Sequence, residues 1–219
     1  MLDLRTMLDI ETTGLEPKQD LILEIGVVPF DEQLGALGTF TVLVASTDAV
    51  AWARATLAAR GAGEALTIAQ QMHLDNGLIE DLIYPNRFIV APDGSDYPGR
   101  VVSTDAADAG HVVAEALARF GVPESIPLAG SSVRSLDAPM LAEHAPELFE
   151  RFNHRTIDAS SYSELVRFID REGYEAMSAT LATSGHRVIG DCLRSLDIVR
   201  RFRDRYGIGP HAAPATDAA

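Results

Sequence analysis

The sequence predicts an α/β fold, a mixed sheet with helices on both faces, and three observations carry that prediction. Three apolar, β-prone runs follow one another near the N-terminus across short turn-rich breaks. Helical and strand-like segments then alternate to the end of the chain. Its 219 residues suffice for one domain with a sizeable core and are too few for two full-sized domains.

Residues Thr6 to Glu11 alternate around Leu8 and Ile10 until Thr12-Thr13-Gly14 breaks the pattern, a strand running into a turn. Ile22 to Phe30 and Phe40 to Ala45 read as two more strands separated by Asp31-Glu32-Gln33-Leu34-Gly35, so the three form an antiparallel meander. Asp48 to Ile83 is Ala-rich with helical spacing, broken at Gly61-Ala62-Gly63 and Asn76-Gly77. Between Tyr84 and Gly110, Pro85, Pro92, Gly94, Pro98 and Gly99 punctuate two β-like runs, Arg87 to Ala91 and Arg100 to Ser103, a hairpin-like insertion at about 84–110.

His111 to Phe120 is helical, Ile126 to Ala129 a short strand ending at Gly130, and Leu136 to Phe149 a helix interrupted near Pro146. Thr156 to Asp158 then reads as a short strand and Ser161 to Arg171 as a helix. The last long element places Ile189, Leu193, Leu196, Val199, Phe202 and Tyr206 on one apolar stripe and ends at Gly207. A single domain over 1–207 with a frayed Ala/Pro-rich tail over 208–219 is the expected organisation.

Lys and Arg total 18 against 32 Asp and Glu, a formal charge of −14. Lys18 is the sole lysine, so no long basic groove for a polyanion is expected. Carboxylates that hold cations are the exception, since bound metal reverses the local potential. One cysteine, Cys192, excludes an intramolecular disulfide and a cysteine zinc cluster, which fits a reducing, cytoplasmic setting. Neither a basic leader nor a long apolar run is visible, so a soluble protein with no membrane partner is expected.

Asp9 and Glu11 lie two apart on the first strand, so both point to one face, about 6–7 Å apart along the backbone. Like charges held together there repel unless a cation lies between them; an isolated Asp-x-Glu pair is otherwise an ordinary strand edge. Asp191 falls in the first turn of the striped helix, where the helix dipole favours an anion, with His186 in the loop before it. Asp137 follows Gly130-Ser131-Ser132 where a strand gives way to a helix, the place of an N-terminal cap.

Taken together, Asp9-Ile10-Glu11 in a Leu-Asp-Ile-Glu-Thr-Thr-Gly-Leu strand-turn, Asp137, and His186 followed five positions later by Asp191 resemble the Asp-Glu-Asp-Asp-His exonucleases. These are the DnaQ-like branch of the ribonuclease H-like fold, and the resemblance covers about residues 4–206. It implies that Asp9, Glu11 and Asp191 bind one divalent ion, Mg²⁺ or Mn²⁺, and that Asp9 shares a second with Asp137. Oxygen donors suit those ions. It further implies that His186 is the general base toward the attacking water, and that Leu15 is the apolar wedge against the terminal bases, although core packing explains a leucine there equally well.

Further segments resemble the oligoribonuclease branch, which trims very short RNA from the 3′ end. Met72-His73-Leu74-Asp75-Asn76-Gly77-Leu78 is similar to its Met-His-x-x-x-Gly-Leu stretch, and Phe152 to Ser160 to its Phe-His-Tyr-Arg-Tyr-Leu-Asp-Val-Ser. The resemblance implies substrate contacts by Thr12, His73, Ser132, Arg155 and Ser160, the last three closing around a 5′ phosphate, and it implies a homodimer. Thr12 stands where that branch usually has Met, as in proofreading-type enzymes. The expected activity is therefore 3′-to-5′ hydrolysis of short RNA or dinucleotides. A 3′-to-5′ DNA exonuclease acting on single-stranded 3′ ends is the alternative, and a non-catalytic nucleic-acid-binding module is the reading from outside enzymology.

Overall fold

The computed structural model describes residues 3–90, 94 and 98–209. Among them, six strands form one sheet: β1 (Arg5–Thr12), β2 (Ile22–Phe30), β3 (Phe40–Val44), β4 (Arg100–Ser103), β5 (Ile126–Gly130) and β6 (Phe152–Asp158). Their order is β4-β3-β2-β1-β5-β6. The expected antiparallel meander β1-β2-β3 is present, and β5 runs parallel to β1, β6 to β5 and β4 to β3. All nine residues of β2 are buried, because this central strand is covered on both faces.

Ten helices complete the described chain. Three, α1 (Thr47–Ala62), α2 (Ile68–Asp75) and α3 (Leu78–Ile83), break where the glycines predict, Gly63 and Gly77 both taking positive φ. Then come α4 (Asn86–Ile89), α5 (Ala106–Arg119), α6 (Asp137–His144), α7 (Pro146–Glu150), α8 (Ala159–Ile169), α9 (Arg171–Ser178) and α10 (Val188–Tyr206). One face of the sheet packs Leu8, Ile25 and Val27 against Val113 and Leu117 of α5 and Leu141 of α6. On the other, Met7, Val28 and Ala129 meet Cys192 and Leu196 of α10, while Leu23 and Leu43 pack on α1 and α3. No helix among the described residues is long and apolar enough to cross a membrane.

Three readings need correction. The run from Arg87 opens as helix α4, not a strand, because buried Phe88 anchors a single turn after Pro85. Arg100–Ser103, read as a strand, joins the sheet parallel to β3. Helix α9 went unread; Asp170 starts it by accepting the Gly173 amide. On α10 the buried stripe is Val188, Cys192, Ser195 and Leu196, and Leu193 is exposed, since the helix is rotated to seat Cys192 on β2. Of the expected tail, residues 210–219 lie outside the described residues.

Candidate active site

Met7, Asp9 and Glu11 share the face of β1 that looks toward α10, by the two-residue period of a strand. Asp191 reaches them because α10 starts unusually close to β2. A Cβ on Gly26 would sit 2.4 Å from Val188 Cγ2, and Gly26 is the residue paired with Asp9. The consequence is a triad: one carboxylate oxygen each from Asp9, Glu11 and Asp191 lies within 4.8 Å of the others.

Such crowding has a large electrostatic cost. Burial, then Asp137, Glu11, Asp191 and Glu24, raises the Asp9 carboxyl well above the usual carboxylate range. Glu11 is pushed up to about 8, by burial first and then by Glu24 and Asp191, with Arg187 the countering charge. That arginine is already engaged: Nε and Nη2 donate to Glu24 at 2.9 and 3.2 Å, and Nη1 to Asp81 at 2.9 Å. The remaining negative charge calls for a cation, and three hard oxygens are the donors a divalent ion of the Mg²⁺ or Mn²⁺ kind takes.

Asp137 is not an N-terminal cap. It is the first helical residue of α6, and its Oδ1 accepts the Ile10 amide of β1 at 3.0 Å. This places its carboxyl between Asp9 and Glu11 along the strand, and burial raises it to about 7 against those hydrogen bonds. It lies outside the tight triad but shares with Asp9 and Glu11 a cavity of about 560 Å³. The rim of that cavity is apolar: Leu15 is 72 % exposed, Ile68 of α2 is 89 % exposed, and Leu136 and Met140 close the other side.

His186 is exposed and stands at φ 48° in the loop entering α10. Ser184 links it to the acids, for its hydroxyl donates to Asp191 Oδ1 at 2.8 Å and lies 3.4 Å from His186 Nδ1. The imidazole lines a neighbouring cavity, with Asn76 and Ser184, that meets the carboxylate cavity along Thr67, Ile68 and Met72.

The implied substrate residues are distributed unevenly. Leu15 and Thr12 line the carboxylate cavity. Ser132 and Ser160 meet at the ends of β5 and β6, Oγ to Oγ 3.2 Å, both fastened to Asp158, which accepts the Ser132 and Ser160 amides at 3.0 and 2.9 Å. Arg155 is exposed on β6 with no ion-pair partner among the described residues. His73 is different: it is wholly buried beside Trp52, its Nε2 donates to the Thr12 carbonyl at 2.9 Å and lies 3.9 Å from Glu11 Oε2, so it props the strand-turn at the edge of the acids. Sequence reasoning missed Ile68, Asn76, Ser184 and the Arg187–Glu24–Asp81 cluster, whose partners are joined only by the fold. None of the described residues of 84–110 lines either cavity.

No family model matches the chain. It is similar to oligoribonucleases of Thiobacillus denitrificans, 26 % identical over 91 % of this chain and 92 % of that one, and of Leifsonia xyli, 29 % identical over 90 % and 80 %. That of Legionella pneumophila is 27 % identical over 91 % and 90 %. Among solved structures it resembles exonuclease I of Methylocaldum szegediense, with TM-score 0.58 at 14 % identity over 94 % of this chain and 41 % of that one. A zinc-bound complex of E. coli exonuclease I with single-stranded DNA gives 0.57 at 11 % over 95 % and 42 %, and cell-death related nuclease 4 gives 0.53 at 14 % over 93 % and 64 %. The chain thus spans about two fifths of the exonuclease I chains, and these likenesses concern the fold. The likeness in sequence is to oligoribonucleases along about nine tenths of this chain, the likeness in fold is to exonuclease I and cell-death related nuclease 4, and the two together support a 3′-to-5′ exonuclease.

Proposed function

We propose that the chain removes nucleotides from the 3′ end of short single-stranded RNA, dinucleotides included, to leave mononucleotides, with His186 as general base and two divalent ions, Mg²⁺ or Mn²⁺. The observation that carries this reading is the convergence of Asp9, Glu11 and Asp191 within 4.8 Å, where Asp9 and Glu11 line an apolar-rimmed cavity. Asp9, Glu11 and Asp191 would hold one ion, and Asp9 with Asp137 the other. Ions bound there supply positive charge for the water nucleophile and for the oxygen that leaves.

The remaining work falls to the chain itself. Leu15, Ile68 and Leu136 take the terminal base faces and exclude water from them. His186 accepts the proton of the water whose oxygen bonds to phosphorus, the P–O3′ bond breaks, and the departing O3′ is protonated from solvent. At the far side the Ser132 and Ser160 hydroxyls and the Arg155 guanidinium take the 5′ phosphate, a guanidinium being suited to two parallel hydrogen bonds. With 32 acids against 18 Lys and Arg the surface as a whole offers little attraction for further phosphates, so length is limited at the site.

A homodimer belongs to this reading, since α8 exposes Phe168 (88 %) with Leu165 and Ile169 on its outer side, an apolar patch that a second copy would cover. Sedimentation of the full chain as a monomer would remove that element. The second reading, a DNA exonuclease, is favoured by the single-stranded DNA in the exonuclease I complexes. Equal concentrations of 5′-labelled RNA and DNA of one sequence separate the two. Stepwise shortening of RNA, with DNA cut far more slowly, is expected, and the reverse preference would establish the DNA reading.

A further inference from the structure

A line of hydrogen bonds joins the end of β1 to the loop that carries His186, and it passes through two side chains, His73, whose Nε2 also lies 3.9 Å from Glu11 Oε2, and Asn76. The Thr12 carbonyl can only accept, so His73 Nε2 carries the proton of their 2.9 Å bond and Nδ1 holds a lone pair. Asn76 Nδ2 lies 3.4 Å from that Nδ1, and the same amide nitrogen donates to the His186 carbonyl. The orientation of the amide is fixed independently, because Asn76 Oδ1 accepts the Leu78 amide at 2.9 Å and caps α3. Every polar position of the Asn76 side chain is therefore committed: one proton to His73, one to His186, the oxygen to α3.

We infer that Asn76 is a positioning residue for His186, setting the height of the imidazole above the carboxylates through the His186 carbonyl while His73 ties Asn76 to Thr12. His186 needs such support. It is exposed, its backbone lies in the left-handed region at φ 48°, and the hydrogen-bond partner of its ring among the described residues is Ser184. On its C-terminal side Arg187 is held by Glu24 and Asp81. Asn76 supplies the hold on His186 itself. The inference rests on His186 as the general base, and it adds that α2 and α3, far from Asp191 in sequence, govern where that base stands.

The variants are Asn76→Asp, which keeps the oxygen that caps α3 and removes both donated hydrogen bonds, Asn76→Ala, His186→Ala and the double variant Asn76→Asp/His186→Ala, assayed on a dinucleotide RNA with Mn²⁺. Asn76→Asp is expected to lower kcat by about 10- to 100-fold with KM within about twofold, the size of effect a misplaced catalytic group gives. Thermal unfolding and Mn²⁺ affinity by calorimetry should stay near those of the parent chain. In the His186→Ala background the same substitution should cost nothing further, because a group that acts only through His186 has nothing left to position. Multiplying losses in the double variant, or an unimpaired Asn76→Asp enzyme, would overturn the inference. If His186→Ala itself turns over normally, it is the general-base reading that fails. Asn76→Ala keeps the test decisive should the added carboxylate disturb the site by its charge, since it removes the same two bonds without one.

Discussion

At the residue scale the cost of holding four acids together is the most consequential property of the molecule. Glu11 raised to about 8 and Asp137 to about 7, both chiefly by burial, bind protons more tightly folded than unfolded, where they titrate near 4.5 and 3.8. The metal-free protein is therefore most stable below about pH 4 with respect to these groups and loses stability as pH rises from there to about 8. A divalent ion opposes that loss by replacing the protons. At neutral pH a concentration of Mn²⁺ about a hundredfold above its Kd should stabilise by about 2.7 kcal/mol, raising Tm by about 5–10 °C for a domain of this size. Calorimetry in buffers of different ionisation enthalpy should show proton release on binding that shrinks as pH approaches 8. A Tm indifferent to Mg²⁺ and Mn²⁺ would contradict the metal assignment.

His186 permits an independent check. Its ring contributes no burial, so His186→Ala should fold and bind Mn²⁺ as the parent does while losing about 10²- to 10⁴-fold in kcat. Single-turnover kinetics measures this directly.

At the scale of elements, the site depends on how closely α10 can lie on β2. Gly26 has a negative φ, and only its missing side chain matters, for a Cβ there would overlap Val188, a branched residue at the first turn of α10. Gly26→Ala should cost about 1–3 kcal/mol, as overpacking of a core contact does. It should also carry Asp191 away from Asp9 and Glu11, so Mn²⁺ affinity should fall more than the stability loss accounts for; unchanged affinity would separate the helix position from the metal site. The same elements show what the sequence reveals. The meander, the breaks at Gly63 and Gly77 and the Asp9–Glu11 pair follow from local pattern, because period, turn chemistry and paired carboxylates are all properties of adjacent residues, whereas Asp137 and Asp191 join that pair in the sequence only through the resemblance to a known family. By contrast, the Arg187–Glu24 pair spans 163 positions and the Asn76–His186 bond 110, so neither leaves a local trace. The burial of His73 against Trp52 and the Thr12 carbonyl is of the same kind, since it is decided by how α2 packs and not by its neighbours in sequence. The α10 stripe failed at Leu193 because spacing gives the period of a helix and not its rotation about its axis.

At the scale of the whole molecule, the charge of −14 divides into a few acids gathered at one cavity and a larger surplus spread over a surface with a single lysine. On the proposed function the first part recruits cations and through them a phosphate. The second repels a long polyanion, so affinity would come from the few contacts proposed at the site: an apolar rim, a cation-neutralised scissile phosphate and a 5′-phosphate cap. Weak salt dependence follows, with a slope of log kcat/KM against log salt of about −0.7 to −1.4, as one or two neutralised phosphates on a single strand give. The most direct test is kcat/KM for 5′-phosphorylated RNAs of increasing length, from dinucleotide upward, under single-hit conditions with Mn²⁺. The proposed function requires the dinucleotide to be the best substrate and the value to fall with each added nucleotide. A value that rises with length would contradict it.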